Sequence, residues 1–299
     1  MKDAKLKASW RQIKFHCKPD DIDELENLLF DLGIHSITLK NVTSQSILEP
    51  AFGSNPLWDN LAVVGLFDPL IHETSVEKAL RLCSPNLKIS WDNLNERNWT
   101  EEHKRHFIPI RCGKKLSICP SWIQPSQVTK INLILDPGMA FGTGEHPSTR
   151  LCLNWLDQQF LQDLSILDYG CGSGILGIAA LLLGASNLVA VDHDPQALMA
   201  TRDNAKRNKI NLRKTLCFLP EDLPPNQQFD LILANILAQT LIELEPLLAS
   251  LTSPGGLICL SGILKEQTDE VRNQYNIHFD ITTSNEREGW ISLSGQKRK

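Results

Sequence analysis

Apolar and polar positions follow two different patterns along the chain, with a change near residue 95 and another near residue 164. Up to residue 95, stretches of alternating polarity are mixed with stretches whose apolar residues recur every three or four positions. Beyond residue 164, short continuous apolar runs replace the alternating ones. Alternation is typical of half-buried strands, a spacing of three or four of helices, and short apolar runs of buried strands. We therefore expect two folded domains of different architecture.

The first part of the chain predicts the order strand, helix, strand, strand, helix, strand. Residues 10–17 alternate like a strand, and a helix that begins at Pro19 ends at Gly33. Further strands are predicted over 34–42, 61–67 and 87–91, and a second helix over 75–82. This is the order of an α+β, ferredoxin-like split βαβ domain, which we assign to residues 1–95.

From residue 164 onward, the predicted strands and helices alternate. The strands are 165–169, 188–192, 215–218, 229–234 and 257–261, and the helices are 175–183, 195–208 and 237–251. Asp194 is placed as an N-cap and Pro195 as the first helical residue after it. Runs at 277–283 and 290–293 predict a closing antiparallel hairpin. Such alternation predicts an α/β fold, a Rossmann-like parallel sheet with helices on both faces.

Glycines fill the turn between the first strand and the first helix of this second part. Residues 165–177 read Ser-Ile-Leu-Asp-Tyr-Gly-Cys-Gly-Ser-Gly-Ile-Leu-Gly, with Gly170, Gly172 and Gly174 between the strand and the helix. Without a Cβ, the backbone there can approach a ligand closely, and the helix start offers free N–H groups. This arrangement predicts a nucleotide-binding turn.

The same turn fits two kinds of nucleotide. Gly172, Gly174 and Gly177 satisfy the dinucleotide fingerprint, and Asp192 lies 20 residues beyond Gly172, where an acid would bind a ribose. Asp168 followed by glycines at every second position also resembles motif I of the class I S-adenosylmethionine methyltransferases. In that family the loop approaches the methionine part of the cofactor, and the acid of the second strand, here Asp192, holds the ribose hydroxyls. The turn alone leaves both NAD and S-adenosylmethionine open.

Asn235, which ends the strand predicted at 229–234, favours a methyltransferase. Ligands of parallel sheets bind at the carboxyl ends of the strands, so the Asn235 side chain is expected beside the nucleotide. Its amide oxygen can accept a hydrogen bond from an amine and direct the nitrogen lone pair toward a methyl donor. The segment Ala-Asn-Ile at 234–236 resembles motif IV of amino-group methyltransferases.

A second glycine-rich segment makes the resemblance specific. Residues 135–149 read Leu-Asp-Pro-Gly-Met-Ala-Phe-Gly-Thr-Gly-Glu-His-Pro-Ser-Thr, ahead of a helical run at 151–156. Together with the motifs above, Leu-Ser-Gly-Ile-Leu at 260–264, Pro-Ser-Trp at 120–122 and Glu-Gly-Trp at 288–290, this segment resembles the PrmA family. These enzymes methylate large-subunit ribosomal protein eleven. The resemblance covers nearly the whole chain.

The resemblance implies an S-adenosylmethionine-dependent enzyme that methylates lysine side chains, the N-terminal amine, or both, of that ribosomal protein. It implies that cofactor contacts come from Thr149, Gly170, Gly172, Asp192 and Asn235, and that Asn235 also acts in catalysis. Phe141 is a candidate to cover the cofactor, and His146 is expected to brace the loop. The domain over 1–95 is expected to recognise the substrate, 96–130 to form a linker helix with connecting strands, and 131–299 to carry catalysis.

Composition narrows the remaining functional classes. The 299 residues are 42% hydrophobic and 22% charged, as in an ordinary globular protein, and the net charge of −5 disfavours a surface that wraps nucleic acid. No run nears the roughly 20 apolar residues of a membrane span, and no signal peptide is evident. The eight cysteines form no Cys-x-x-Cys pair, so neither a zinc site nor a disulfide framework is predicted. We expect a cytoplasmic monomer without metal.

Cys171 lies within the glycine turn near a helix start, where the pKa of a thiol can fall. Direct methyl transfer requires no enzyme nucleophile, so small size at a crowded turn explains this cysteine better. Two alternatives to a methyltransferase stay open at this point. An NAD-dependent oxidoreductase fits the pattern over 172–192 but leaves Asn235 unexplained, and a non-catalytic ribosome-assembly protein needs only the N-terminal domain.

Overall fold

The computed structural model of the protein describes residues 9–42, 57–95, 108–125, 129–136 and 142–299. Its contacts divide the chain into two compact units, residues 1–105 and 106–299. Within the predicted linker segment, the helix is expected over 95–107, and all of that stretch except Asn95 lies outside the described residues. Phe141 lies outside them as well. In the described part of the chain, no helix combines the length and the apolar character that crossing a membrane requires.

The N-terminal unit has the predicted element order. It contains β1 (Ser9–Cys17), α1 (Ile22–Asp31), β2 (Ser36–Asn41), β3 (Leu61–Phe67), α2 (Glu73–Cys83) and β4 (Ser90–Asn95). The strands form one antiparallel sheet in the order β2-β3-β1-β4. The fourth strand begins three residues later than the predicted run over 87–91.

The predicted alternation in β1 places every second side chain in the core of this unit. Ile13, Phe15 and Cys17 are buried, whereas His16 is exposed. Leu25 and Leu29 of α1, four residues apart, are also buried. The amphipathic pattern therefore places the core between the helices and one face of the sheet.

The C-terminal unit begins with a small sheet and continues into a large one. The small sheet contains β5 (Ile110–Cys112), β6 (Leu116–Cys119) and β7 (Ile131–Ile134). The strands of the large sheet and the helices of this unit then follow in the order α3 (Pro147–Leu156), β8 (Ser165–Tyr169), α4 (Ile175–Leu182), β9 (Asn187–Val191), α5 (Pro195–Arg207), β10 (Thr215–Phe218), β11 (Phe229–Asn235), α6 (Ala238–Leu251), β12 (Thr252–Leu264), α7 (Thr268–Tyr275), β13 (Phe279–Arg287) and β14 (Trp290–Lys297).

Seven strands form the large sheet in the order β10-β9-β8-β11-β12-β14-β13. Its first five strands are parallel, and β14 and β13 add the predicted antiparallel hairpin. Ile166 and Leu167 of β8 belong to separate buried clusters, because consecutive strand residues face opposite sides of the sheet. The strand order reverses between β8 and β11, which is where ligands of such sheets bind.

The capping residues predicted for α5 are confirmed. The Asp194 side chain accepts a hydrogen bond from the N–H of Gln196 at 2.8 Å, and Pro195 occupies the first helical position. Two elements were missed by the sequence pattern: β5, which has three residues, and α7, in which only Val271 and Tyr275 are buried. Elements with so few buried positions leave little periodicity to detect.

Asp157, the residue that follows α3, holds the small sheet against the rest of the C-terminal unit. Its buried carboxylate accepts three backbone hydrogen bonds, from Lys114, Lys115 and Leu116, at 2.6, 2.7 and 2.9 Å. Gly113 has a φ of +83°, and a Cβ at that position would collide with the Asp157 carboxylate. The turn between β5 and β6 is therefore shaped around one side chain.

We predict that Asp157→Ala destabilises the C-terminal unit, because three backbone N–H groups, that of Leu116 buried, lose a charged acceptor. Hydrogen bonds to charged groups contribute about 1.5–3 kcal/mol each, and relaxation with water entry offsets part of that loss. A decrease of about 2–4 kcal/mol in the free energy of unfolding is expected in urea titrations of the intact protein. The control is Asp203→Ala, which removes an exposed carboxylate from α5. If both variants unfold alike, Asp157 does not hold the small sheet.

Candidate active site

The predicted glycine turn lies at the carboxyl end of β8, at the reversal of strand order. Gly170, Gly172 and Gly174 all have positive φ values, of 74°, 54° and 76°. At Gly170 a Cβ would also collide with the side chain of Ile236, which follows β11. A glycine is therefore required at Gly170 both by its left-handed backbone and by the close approach of a neighbouring strand end.

Asp168, the acid that precedes the glycines, is a buried helix cap. Its carboxylate accepts a hydrogen bond from the N–H of Gly177, in the first turn of α4, at 2.9 Å. Burial raises the pKa of Asp168 to about 7, the Gly177 N–H opposes this rise, and the charge of Asp192 adds to it. Asp168 thus fixes the helix start that lies behind the turn.

Asp192, just past the end of β9, braces the turn from its other side. One carboxylate oxygen accepts the N–H of Gly172 at 2.8 Å, and the other accepts the N–H of Asp194 at 3.0 Å. The side chain is almost fully buried, yet the residue lines a cavity. Since a carboxylate offers about four lone-pair sites, acceptor capacity remains for hydroxyl groups in that cavity.

Asn235 ends β11 beside the same turn, because Ala234 pairs with Tyr169 of β8 in the parallel register. Its amide nitrogen donates to the hydroxyl of Thr149, in the first turn of α3, at 3.2 Å. The amide oxygen is buried and has no hydrogen-bond partner among the described residues. A buried acceptor without a partner is costly, so a donor from a ligand would satisfy it.

These groups surround a cavity of about 570 Å³. Of the predicted site residues, Gly170, Asp192 and Asn235 line it. Thr149 is fully buried and contacts Asn235, whereas Gly172 donates its N–H to Asp192 and is not among the lining residues. The structure therefore brings all five predicted residues to one place, three of them on the cavity surface.

Several cavity residues were not predicted from the sequence. They are Ser148, Tyr169, His193, Pro220, Ile236, Leu237, Thr240, Leu244, Gly262 and Trp290. Tyr169 and Pro220 end or follow strands of the parallel sheet, a position that could have identified them. Trp290 belongs to the Glu-Gly-Trp segment, but nothing local to that segment links it to residues over 100 positions earlier.

His146 caps α3 and forms part of the cavity wall. Its Nδ1 lies 2.7 Å from the hydroxyl of Ser148 and accepts the N–H of Ser148 at 3.3 Å. Its ring meets that of Trp290 edge to face, with centroids 4.7 Å apart. Burial lowers the pKa of His146, against an opposing effect of Glu288. His146 thus holds the start of α3 against Trp290, and its role in bracing the preceding loop stays a prediction.

Cys171 is not poised as a nucleophile. The side chain is buried, and burial, followed by the charge of Asp168, raises the pKa of its thiol far above the usual range. All eight cysteines are free thiols. Among the described residues, no three His, Cys, Asp or Glu side chains gather as metal ligands would.

The chain is similar to known proteins over almost its entire length. The family model described as "Ribosomal protein L11 methyltransferase (PrmA)" matches residues 9–298. A ribosomal protein L11 methyltransferase of Cellvibrio japonicus is 46% identical over 97% of this chain and 99% of that protein. One of Pseudomonas aeruginosa is 45% identical with the same coverage.

A solved structure supports this relationship. The crystal structure of a ribosomal protein L11 methylase from Lactobacillus delbrueckii subsp. bulgaricus has a TM-score of 0.59 and 32% identity, covering 64% of this chain and all of that one. The fold is the Rossmann-like sheet of the class I methyltransferases, and the alternative of an NAD-dependent oxidoreductase is discarded. This chain belongs to the ribosomal protein L11 methyltransferase (PrmA) family.

Proposed function

We propose that this enzyme transfers methyl groups from S-adenosylmethionine to amino groups of ribosomal protein L11, on lysine side chains, the N-terminus, or both. Family membership supports the reaction and the substrate. The observation that carries the choice of an amine is the buried amide oxygen of Asn235, which has no partner among the described residues and belongs to a cavity-lining residue. An amine N–H is a donor of the kind that this oxygen lacks.

The residues around the cavity fit S-adenosylmethionine. Gly170 lines the cavity and has no side chain, so a ligand in the cavity can approach the backbone of the turn closely. We assign the methionine part to Gly170 and the turn it shares with Gly172, the ribose hydroxyls to Asp192, and the amino-acid end to Thr149 at the start of α3. When bound, the cofactor supplies an electrophilic methyl group on a positively charged sulfur.

Asn235 orients the substrate nitrogen in this proposal. A lysine amine with an ordinary pKa of about 10.4 is neutral in only about one molecule in 2,500 at pH 7, and only the neutral form has a lone pair. Removal from water favours the neutral form. The cavity wall contributes to this removal through apolar groups such as Ile236, Leu244 and Trp290.

No strong general base is required, because the amine loses its proton before the methyl group is transferred. His146, whose pKa is lowered by burial, already accepts a backbone hydrogen bond as a helix cap. The contribution of the enzyme is then mainly alignment, which can supply several kcal/mol of a barrier in well-oriented systems, up to roughly 7–11 kcal/mol.

We assign substrate recognition to the N-terminal domain, residues 1–95. It lies within the compact unit of residues 1–105, and none of its described residues, 9–42 and 57–95, lines the catalytic cavity. We further propose that the enzyme acts as a cytoplasmic monomer, with protein rather than nucleic acid as the partner that it recognises. The net charge of −5 supports the choice of a protein partner.

Asn235→Ala is expected to lower turnover while leaving cofactor affinity almost unchanged, because its free oxygen is assigned to the amine. Asp192→Ala is the matched contrast. This substitution removes the charged acceptors of the ribose hydroxyls, which are worth about 1.5–3 kcal/mol, so the Kd for S-adenosylmethionine should rise about 10- to 150-fold. Calorimetry with the cofactor and single-turnover methylation of L11 measure the two effects separately.

Equal losses of cofactor affinity and turnover in the Asn235 variant would place that residue on the cofactor instead. Undiminished cofactor affinity after Asp192→Ala would remove Asp192 from the cofactor site. A wild-type protein that binds L11 but never methylates it would support the non-catalytic ribosome-assembly alternative.

Deletion of residues 1–95 is expected to preserve S-adenosylmethionine binding, since the assigned cofactor residues all lie beyond residue 140. Methylation of L11 should fall sharply through a higher KM, because the recognition domain is missing. Circular dichroism and cofactor calorimetry on the truncated enzyme establish that it is folded before its activity is compared. Methylation of L11 at the full-length rate by this folded enzyme would show that residues 1–95 have no part in recognition.

A further inference from the structure

A second cavity, of about 460 Å³, adjoins the wall of the catalytic cavity. Helix α3 contributes Asn154 and Trp155, the turn after it contributes Gln158, and strand β13 contributes Asn285, Glu286 and Arg287. We refer to this second cavity as the α3–β13 cleft. Four of its nine lining residues carry side-chain amides, Asn154, Gln158, Gln159 and Asn285, whereas the lining of the catalytic cavity is mainly apolar.

Helix α3 forms a wall of both cavities. Ser148 lines the catalytic cavity, whereas Leu151, Trp155 and Gln158 line the cleft. Ser148, Leu151 and Trp155 are three or four positions apart, so they lie on one stripe of the helix, and Gln158 follows in the turn after it. Leu151 is about 4.5 Å further along the helix axis than Ser148. The cleft thus begins about one helical turn from the catalytic cavity.

The hairpin of β13 and β14 forms the other shared wall. Trp290, the first residue of β14, lines the catalytic cavity, and it pairs directly with Arg287, which lines the cleft. The two cavities therefore have two elements in common in their walls, a helix and a hairpin.

The cleft follows the free edge of the large sheet. Strand β13 is the last strand of the sheet order and pairs only with β14 among the described strands. Asn285, Glu286 and Arg287 are consecutive, and consecutive side chains of a strand point to opposite faces. A cavity that touches all three lies along the strand edge, where backbone N–H and C=O groups can pair with another chain.

The amides around the cleft are available for a ligand. Asn154, Gln158 and Asn285 make no side-chain hydrogen bond to any other described residue. The charged side chains nearby are already paired, Glu286 with Lys265 at 3.0 Å and Arg287 with Glu288 at 3.2 Å. Side-chain amides both donate and accept, as peptide groups do, so this lining suits a polypeptide backbone better than an anion.

We propose that the α3–β13 cleft binds an extended stretch of the protein substrate that flanks the methylated amine. The stretch adds a strand to the edge of β13, and Asn154 of α3 and Gln158 just beyond it hydrogen-bond to its peptide groups. This inference rests on the proposed function, because it takes L11 as the polypeptide.

The test compares wild-type enzyme with the double variant Asn154→Ala, Gln158→Ala in steady-state methylation of L11. Loss of two hydrogen bonds to the substrate backbone should raise KM about 5- to 30-fold and leave kcat within about twofold. The Kd for S-adenosylmethionine should be unchanged, which also shows that the variant is folded. Asn273→Ala, an exposed amide on α7, is the matched control and should keep the wild-type KM.

A second variant, Gln158→Trp, fills the cleft from an exposed position and should raise KM as well. If wild-type enzyme methylates L11 and both variants retain its KM, the cleft does not bind substrate. If the variants change the sedimentation of the enzyme instead of KM, the edge of β13 pairs with a second copy of the chain, and the proposal is overturned. If wild-type enzyme fails to methylate L11, it is the proposed function that fails first.

Discussion

Two buried carboxylates hold the backbone on which the catalytic site is built. A turn made of left-handed glycines has many accessible conformations, so it keeps one shape only if its N–H groups have fixed acceptors. Asp168 accepts the N–H of Gly177 behind the turn, and Asp192 accepts that of Gly172 in front of it. The two negative charges are close enough for Asp192 to help raise the pKa of Asp168, with burial as the larger cause. Part of this electrostatic cost is offset by the backbone hydrogen bonds.

The position of Asn235 follows from the same turn. The carboxyl ends of β8 and β11 are in register, so Asn235 comes one residue beyond the pair of Ala234 and Tyr169. The next residue, Ile236, occupies the space that side chains at Gly170 and Gly262 would need. Three strand ends therefore interlock around Ile236, and this packing keeps the Asn235 amide beside the cavity. The hydroxyl of Thr149 accepts a hydrogen bond from the amide nitrogen of Asn235 and so fixes the orientation of the amide.

Strongly patterned segments were predictable from the sequence, whereas contacts between distant segments were not. The apolar runs of β8, β9 and β11 and the caps of α5 identified the parallel sheet, because burial on both faces leaves little freedom in residue choice. The acids and glycines of the turn were found because their spacing is local. The bond between Thr149 and Asn235 spans 86 positions, so no local pattern indicates it. Trp290 is likewise distant in sequence from most of the other cavity residues, so no local pattern indicates that it lies in the cavity wall.

Helix α3 shows why one short element can serve several purposes. Ser148 in its first turn lines the catalytic cavity, and Thr149 beside it holds Asn235. Asp157 at its end anchors the small sheet, and Leu151, Asn154 and Trp155 line the α3–β13 cleft. The side-chain amides of the cleft can hydrogen-bond to peptide groups, which every residue of a substrate carries, rather than to particular side chains. An enzyme that recognises backbone beside its catalytic cavity would accept amines in different sequence contexts. In such an enzyme another part of the chain has to select the protein substrate, which is the role that we propose for residues 1–95.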